Sequence, residues 1–145
     1  MRILSIETSC DETAISLVEV HGEFPDATYE ILGNALWSQI DIHREYGGVF
    51  PMMAKREHVA TIVPMLEKAL AESGLEADDY TPQIDEETEL KVKQLLAREP
   101  ELAEHMLTFH REHGTYTIDH IAVTAGPGLA PALWVGVNFA KVLSL

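Results

Sequence analysis

Two short stretches of this sequence concentrate groups that could do chemistry. The first is Ser9-Cys10-Asp11-Glu12, which sets a hydroxyl, a thiol and two adjacent carboxylates between two apolar runs. Short oxygen-bearing side chains at a strand-to-strand turn satisfy the turn's own backbone. They can also face a phosphate, a bound metal or water, so a plain hairpin with a polar tip and a binding tip both fit the string. The second stretch is Gly126-Pro127-Gly128, between an apolar run and a helix expected from about Ala130. Strand, glycine loop and helix N-terminus bind anions through backbone N–H groups and the helix dipole. The same glycines equally suit close helix–strand packing. Cys10 has no histidine near it in sequence to act as its base, so it does not read as a nucleophile. His105, His110 and His113 raise the question of a metal. Their spacing gives no pair at i and i+4 and no zincin motif, so they read as polar faces of a solvated helix.

These groups need positioning elements, and the pattern supplies them. Ile3–Ile6 is mostly apolar, as in a strand buried in a sheet. From Ala14 the residues alternate, with Ala14, Ser16, Val18 and Val20 on one side and Ile15, Leu17 and Glu19 on the other. His21–Asp26 reads as a turn, Tyr29–Gln39 as a third strand, and His43–Val49 as a loop with a double glycine. Pro51–Ser73 is a helix with proline in its first turn and Gly74 as its stop. Its apolar face carries Val59, Ile62, Val63, Leu66, Ala69 and Leu70, and Pro64 predicts a kink. Helices are expected over 85–98 and 100–113, and a buried strand over Ile118–Ala125.

A length of 145 residues, 46% hydrophobic, suits one compact domain with a real core. No apolar run approaches the ~18 residues of a membrane span, and Met1-Arg2 leads straight into a strand, unlike a signal peptide. A single cysteine fits a reducing compartment, so the expected location is the cytoplasm, with no membrane partner. The formal net charge of −14 repels phosphate backbones and argues against a large nucleic-acid footprint on this chain. The stretch 76–117 is strongly acidic and helical, and its narrow apolar stripe must dock on something. It reads as a surface insertion or as a partner-docking element.

Ile6-Glu7-Thr8-Ser9-Cys10-Asp11-Glu12-Thr13-Ala14 resembles the opening of the TsaD (Gcp) family, the tRNA N6-adenosine threonylcarbamoyltransferases. Trp37-Ser38-Gln39-Ile40-Asp41-Ile42-His43 is also similar, as is the run from Gly47-Gly48-Val49 to Arg56-Glu57-His58, with Met52 where the family usually has glutamate. Thr124-Ala125-Gly126-Pro127-Gly128-Leu129 and Leu133–Lys141 look like TsaD and not like its paralogue TsaB. The resemblance covers 1–75 and 118–145. It implies an α/β fold, the N-terminal lobe of the actin, heat-shock-ATPase and sugar-kinase superfamily (ribonuclease H-like). The sheet would be mixed, with its first three strands antiparallel, and 76–117 would be a helical insertion in a single truncated lobe spanning 1–145. It implies transfer of threonylcarbamoyl from threonylcarbamoyl-AMP to N6 of a tRNA adenosine.

On that resemblance Asp11 and Glu12 are the catalytic candidates, orienting water, the amine or a metal's outer shell. Ser9, Gly126, Pro127 and Gly128 would stand near phosphate or substrate. One divalent metal, iron or zinc, is implied for the full-length subunit, on a His-x-x-x-His pair and an aspartate that this chain lacks. The helix 51–73 would meet a TsaB-like paralogue or a second copy through Met52, Arg56, Val59, Val63 and Leu66. TsaE- and TsaC-type proteins would share the pathway, and tRNA would bind only with the rest of the complex. The alternative is a non-catalytic TsaB-like scaffold lobe that binds partners through the same helix.

Overall fold

The computed structural model describes residues 1–23, 25–77 and 84–145. Phe24, within the expected turn 21–26, and residues 78–83, within the expected insertion, lie outside the described residues. The elements run β1 (Arg2–Glu7), β2 (Glu12–His21), β3 (Thr28–Ser38), α1 (Ile40–Arg44), α2 (Pro51–Ser73), α3 (Glu86–Leu95), α4 (Pro100–His113), β4 (His120–Val123) and α5 (Ala130–Leu143). The four strands form one mixed sheet in the order β3-β2-β1-β4. β1–β2 and β2–β3 pair antiparallel, and β4 runs parallel to β1.

The sheet buries one face. Leu4 and Ile6 of β1, Ile15 and Leu17 of β2 and Ala35 of β3 point into a core closed by α2 and α5. Thr13, Ile15 and Leu17 are the buried set of β2, while Ala14, Ser16 and Val18 are half-buried on the other face. Val20 departs from this alternation and is buried, beyond a β-bulge that places Leu32 between the partners of Leu17 and Val18. α2 lies close against β3 at Gly33, where an added Cβ would stand 2.0 Å from the Ala69 carbonyl oxygen. Only glycine lets the two backbones approach so far.

The structure corrects two sequence expectations and adds detail to two others. His43–Val49 is not wholly loop, because Ile40–Arg44 forms the short helix α1, with His43 buried. α2 stays helical through Pro64, the position where the sequence predicts a kink, and Pro64 is exposed, so the carbonyl it leaves without an N–H faces water. The apolar stripe of 76–117 docks on the chain itself: Val92, Leu96, Leu102, Met106, Leu107 and Phe109 belong to the same core as the sheet. Lastly, Val59, Val63 and Leu66 are only 6%, 5% and 1% exposed. Their helix face covers the sheet, so these three cannot meet a partner. Met52 and Arg56 share this side of α2 by helical spacing but lie in its first two turns, where they are exposed.

The α3–α4 corner is anchored by charge as well as by apolar packing. Glu99 at the start of α4 meets Lys55 of α2 at 2.6 Å, with side chains only 3% and 22% exposed. α3 is capped by Asp85, whose carboxylate accepts the Thr88 N–H at 2.7 Å. Among the described residues, no helix is long and apolar enough to cross a membrane.

Candidate functional site

The turn between β1 and β2 is bolted onto the start of α5. Thr8, fully buried, donates its hydroxyl to the Ala132 carbonyl at 3.0 Å and accepts the Gly136 N–H at 3.1 Å. A Cβ at Gly136 would fall 2.5 Å from that hydroxyl oxygen. One residue on, the Ser9 carbonyl accepts the Leu129 N–H at 2.7 Å. A Cβ at Gly128 would stand 2.6 Å from the same carbonyl oxygen and 2.8 Å from the Ser9 Cβ. Ser9 and Gly128 therefore touch, and the glycine is needed for the contact. The peptide bond from Gly126 to Pro127 is cis. Residues 125–128 and Ala130 are solvent-exposed. Among the described residues, the N–H groups of Gly126, Gly128 and Ala130 reach no protein acceptor, so three backbone donors face solvent at a helix N-terminus.

Glu7 closes the inner side of this wall. Its carboxylate accepts the Ser9 N–H at 2.5 Å. Burial pushes its pKa up, but hydrogen bonds from Ser9 and Thr124, helped by His58, outweigh that and hold the pKa below its usual value. The open face of the sheet continues from here as a groove of about 310 Å³, lined by Glu7, Thr124, Ser5, Ser16 and Asn34 among others.

Asp11 and Glu12 lie on the β3 side of the turn, away from the glycine corner. The Asp11 carbonyl accepts the Gln39 N–H at 2.8 Å, and Glu12 pairs opposite Ser38. Asp11 is half-buried and Glu12 exposed. Burial raises the Cys10 thiol pKa, and its hydrogen bond to Asp11 raises it further, so the thiol is held protonated. The structure thus brings Ser9 to Gly128 directly, while Asp11 and Glu12 stand at the other shoulder of the same turn.

Beneath the turn is a buried polar network that the sequence reading passed over. His58 of α2 is fully buried. Its Nε2–H donates to the Cys10 carbonyl at 3.1 Å, because a carbonyl can only accept. Its Nδ1 then accepts from the Thr13 hydroxyl at 2.8 Å and from the Gln39 amide at 3.4 Å. The Gln39 oxygen accepts His43 Nε2–H at 2.9 Å, and His43 Nδ1 accepts the Phe50 N–H at 3.4 Å. These partners assign both rings as neutral Nε2–H tautomers. Burial lowers the His58 pKa and outweighs the opposite pull of the Cys10 carbonyl and of Glu7 and Asp11. One signal was legible: His58 lies four residues after Ala54 and four before Ile62, on the buried stripe of α2.

The wall does not carry the donor set of the metal that the resemblance implies. Its imidazole, His58, commits both nitrogens to Thr13 and Cys10. Among the described residues, Glu19, His21 and Glu30 bring three ligand atoms within 4.8 Å of one another, but at the other end of β2, with Arg2 3.5 Å from Glu19. In α4, His105 is exposed, His110 is half-buried with its pKa lowered by burial, and His113 stacks on Phe109 and meets Glu67 at 3.3 Å.

Fold and site together define an α/β protein with an exposed backbone recess, suited to an anion, where a hairpin tip meets a glycine corner. Residues 30–82 and 104–145 match the family described as TsaD: tRNA N6-adenosine threonylcarbamoyltransferase. Proteins of that name from Thermomicrobium roseum and Fusobacterium nucleatum subsp. nucleatum are each 39% identical over 144 residues, and one from Polynucleobacter necessarius subsp. necessarius is 38% identical over 146. Each alignment covers 99% of this chain and 27%, 29% and 30% of the relative, respectively. The chain belongs to the TsaD family and spans less than a third of the length of these curated relatives. The family match passes over 83–103, which hold α3 and the corner before α4.

Proposed function

We propose that this chain forms the phosphate-side wall of an enzyme that transfers threonylcarbamoyl from threonylcarbamoyl-AMP to N6 of a tRNA adenosine. The observation that carries the reading is the Ser9–Gly128 contact beside the unpartnered N–H groups of Gly126, Gly128 and Ala130. In this reaction the adenosine nitrogen attacks the carbamoyl carbon of a mixed anhydride. The carbon–oxygen bond to phosphate breaks, AMP leaves, and the nitrogen loses a proton. An acyl transfer of this kind needs an anchored phosphate leaving group and a group near the amine. Gly126, Gly128 and Ala130 would hold the phosphate by backbone donation, with the Ser9 hydroxyl beside them. Asp11 and Glu12 would orient the amine, stabilise the positive charge that develops on it and accept the proton it loses.

Partners and tRNA belong to the same proposal. With a net charge of −14, this chain would meet tRNA only within a larger assembly. The exposed edge of α2 at Met52 and Arg56 would face a TsaB-like paralogue or a second copy. The scaffold alternative, a lobe binding partners through the whole apolar face of α2, is the weaker reading, since that face is spent on the sheet. The test is the Asp11→Ala, Glu12→Ala double variant in the full-length protein, with threonylcarbamoyladenosine measured in tRNA. Loss of modification with an unchanged circular dichroism spectrum is expected. Unimpaired modification would remove the role given to the two carboxylates.

A further inference from the structure

A groove of about 490 Å³ opens on the side of the molecule away from the sheet. Met52 of α2 and Pro131, Trp134 and Asn138 of α5 form one wall, and Leu95 and Arg98 from the α3–α4 corner form the other. Met52 and Trp134 are 60% and 55% exposed, an unusual arrangement for two large apolar side chains that share one concavity. The second wall is built from residues that the family match passes over.

Arg98 is singular in this chain. The sequence holds 10 lysines and arginines against 24 acidic residues. Every other one has a carboxylate partner or, for Lys141, the Trp134 ring at 5.6 Å. Arg98 is exposed and makes no ion pair among the described residues, although the Glu99 carboxylate follows it in sequence. Glu99 is turned inward onto Lys55, which fixes the corner and leaves the guanidinium on the groove rim. An unpaired guanidinium beside exposed Met and Trp is the composition of a protein-binding anchor point.

We propose that this groove docks a short segment of a partner protein that presents a carboxylate to Arg98 and a large apolar side chain between Met52 and Trp134. The α3–α4 corner, which the family match passes over, thereby adds a specificity-setting wall to the exposed edge of α2, and the inference rests on reading that edge as a partner surface. A protein segment fits better than a nucleic acid. The rest of the chain repels phosphate backbones, and a single arginine beside an apolar cleft reads one carboxylate and not a strand.

The test uses displayed dodecapeptides selected on the intact chain. The best peptide is then titrated against the Trp37→Phe variant, so that Trp134 alone reports by fluorescence. Enrichment of Asp or Glu next to a large apolar residue is expected, with a saturable change in Trp134 emission. Arg98→Glu should weaken binding at least ~10-fold, the scale of one charge-assisted contact, without shifting the thermal midpoint. Arg44→Glu, at an arginine paired with Asp41 on α1, should leave binding unchanged. Failure to enrich any peptide, enrichment of peptides without a carboxylate, or binding indifferent to Arg98→Glu overturns the proposal. If Met52→Asp abolishes binding while Arg98→Glu is silent, the α2 surface stands and the share given to the α3–α4 corner falls. Neither result bears on the wall at Ser9 and Gly128, whose test is tRNA modification.

Discussion

The hairpin-tip wall and the α3–α4 hairpin are held to the same core by different means. At the wall, the fit is made by backbone and hydroxyl groups at near-minimal separation: Thr8 in the notch of α5, Ser9 against Gly128, His58 under Cys10. The α3–α4 hairpin is held by bulk, with Val92, Leu96, Leu102, Met106 and Leu107 in the common core, and by one shielded ion pair. The first arrangement leaves few acceptable residues at each position. The second tolerates many apolar sequences of similar volume. A region outside the family match can therefore share the core of the matched part without disturbing the tip.

Four measurements break or sharpen this contrast. Lys55→Ala strands the Glu99 carboxylate in a buried site, and the expected loss is ~3–5 kcal/mol of unfolding free energy by urea titration. Replacing both partners, as Lys55→Met with Glu99→Leu, should recover most of it. Met106→Ala, deep in α4, should cost ~2–5 kcal/mol and leave a single cooperative transition. Two transitions would mean that the hairpin unfolds by itself, and the shared core would be the wrong description. Gly128→Ala drives a methyl group into the Ser9 carbonyl. It should cost ~1–3 kcal/mol, and chemical shifts should move at residues 8–11 while the α3–α4 resonances stay in place.

The smallest effect is the acid limb of stability. His58 and His110 have pKa values depressed below the ordinary 6.5, so the unfolded chain takes up protons first. Their contribution is complete above pH 6.5 and is lost as pH falls below it toward the folded values. Glu7, depressed below 4.5, adds a second loss that begins under pH 4.5. A His58→Gln variant should shrink the first limb to the share of His110 and leave the second. An unchanged first limb would show that the wall's imidazole is not the titrating group.

Helix α2, with its proline start and Gly74 stop, was legible because cap chemistry and a 3.6-residue apolar period agree there. The hairpin β1–β2 and the helix pair at 85–98 and 100–113 were readable on the same grounds. The burial of Val59, Val63 and Leu66 was not, since periodicity shows that a face is apolar and not what covers it. α1 was hidden by the double glycine after it, and it depends on Gln39 and His43, whose bonds are tertiary. At the site, Ser9 and the glycine corner could be named from local pattern. Thr8, Glu7 and His58 could not be given roles, because each acts across tens of residues of sequence: Thr8 reaches Gly136, Glu7 meets Thr124, and His58 lies under Cys10.

Gly33 has a consequence for α2 as a mechanical part. The helix is located at Ala69 by the missing side chain of Gly33 and at His58 by the carbonyl of Cys10, eleven residues or ~16 Å apart along its axis. Two such index marks on one rod forbid both sliding and turning. A side chain at position 33 would act as a shim. It would lift one end of α2 off β3 and tilt the imidazole away from the turn, so a strand residue with no chemistry of its own sets the alignment of the far end of the molecule.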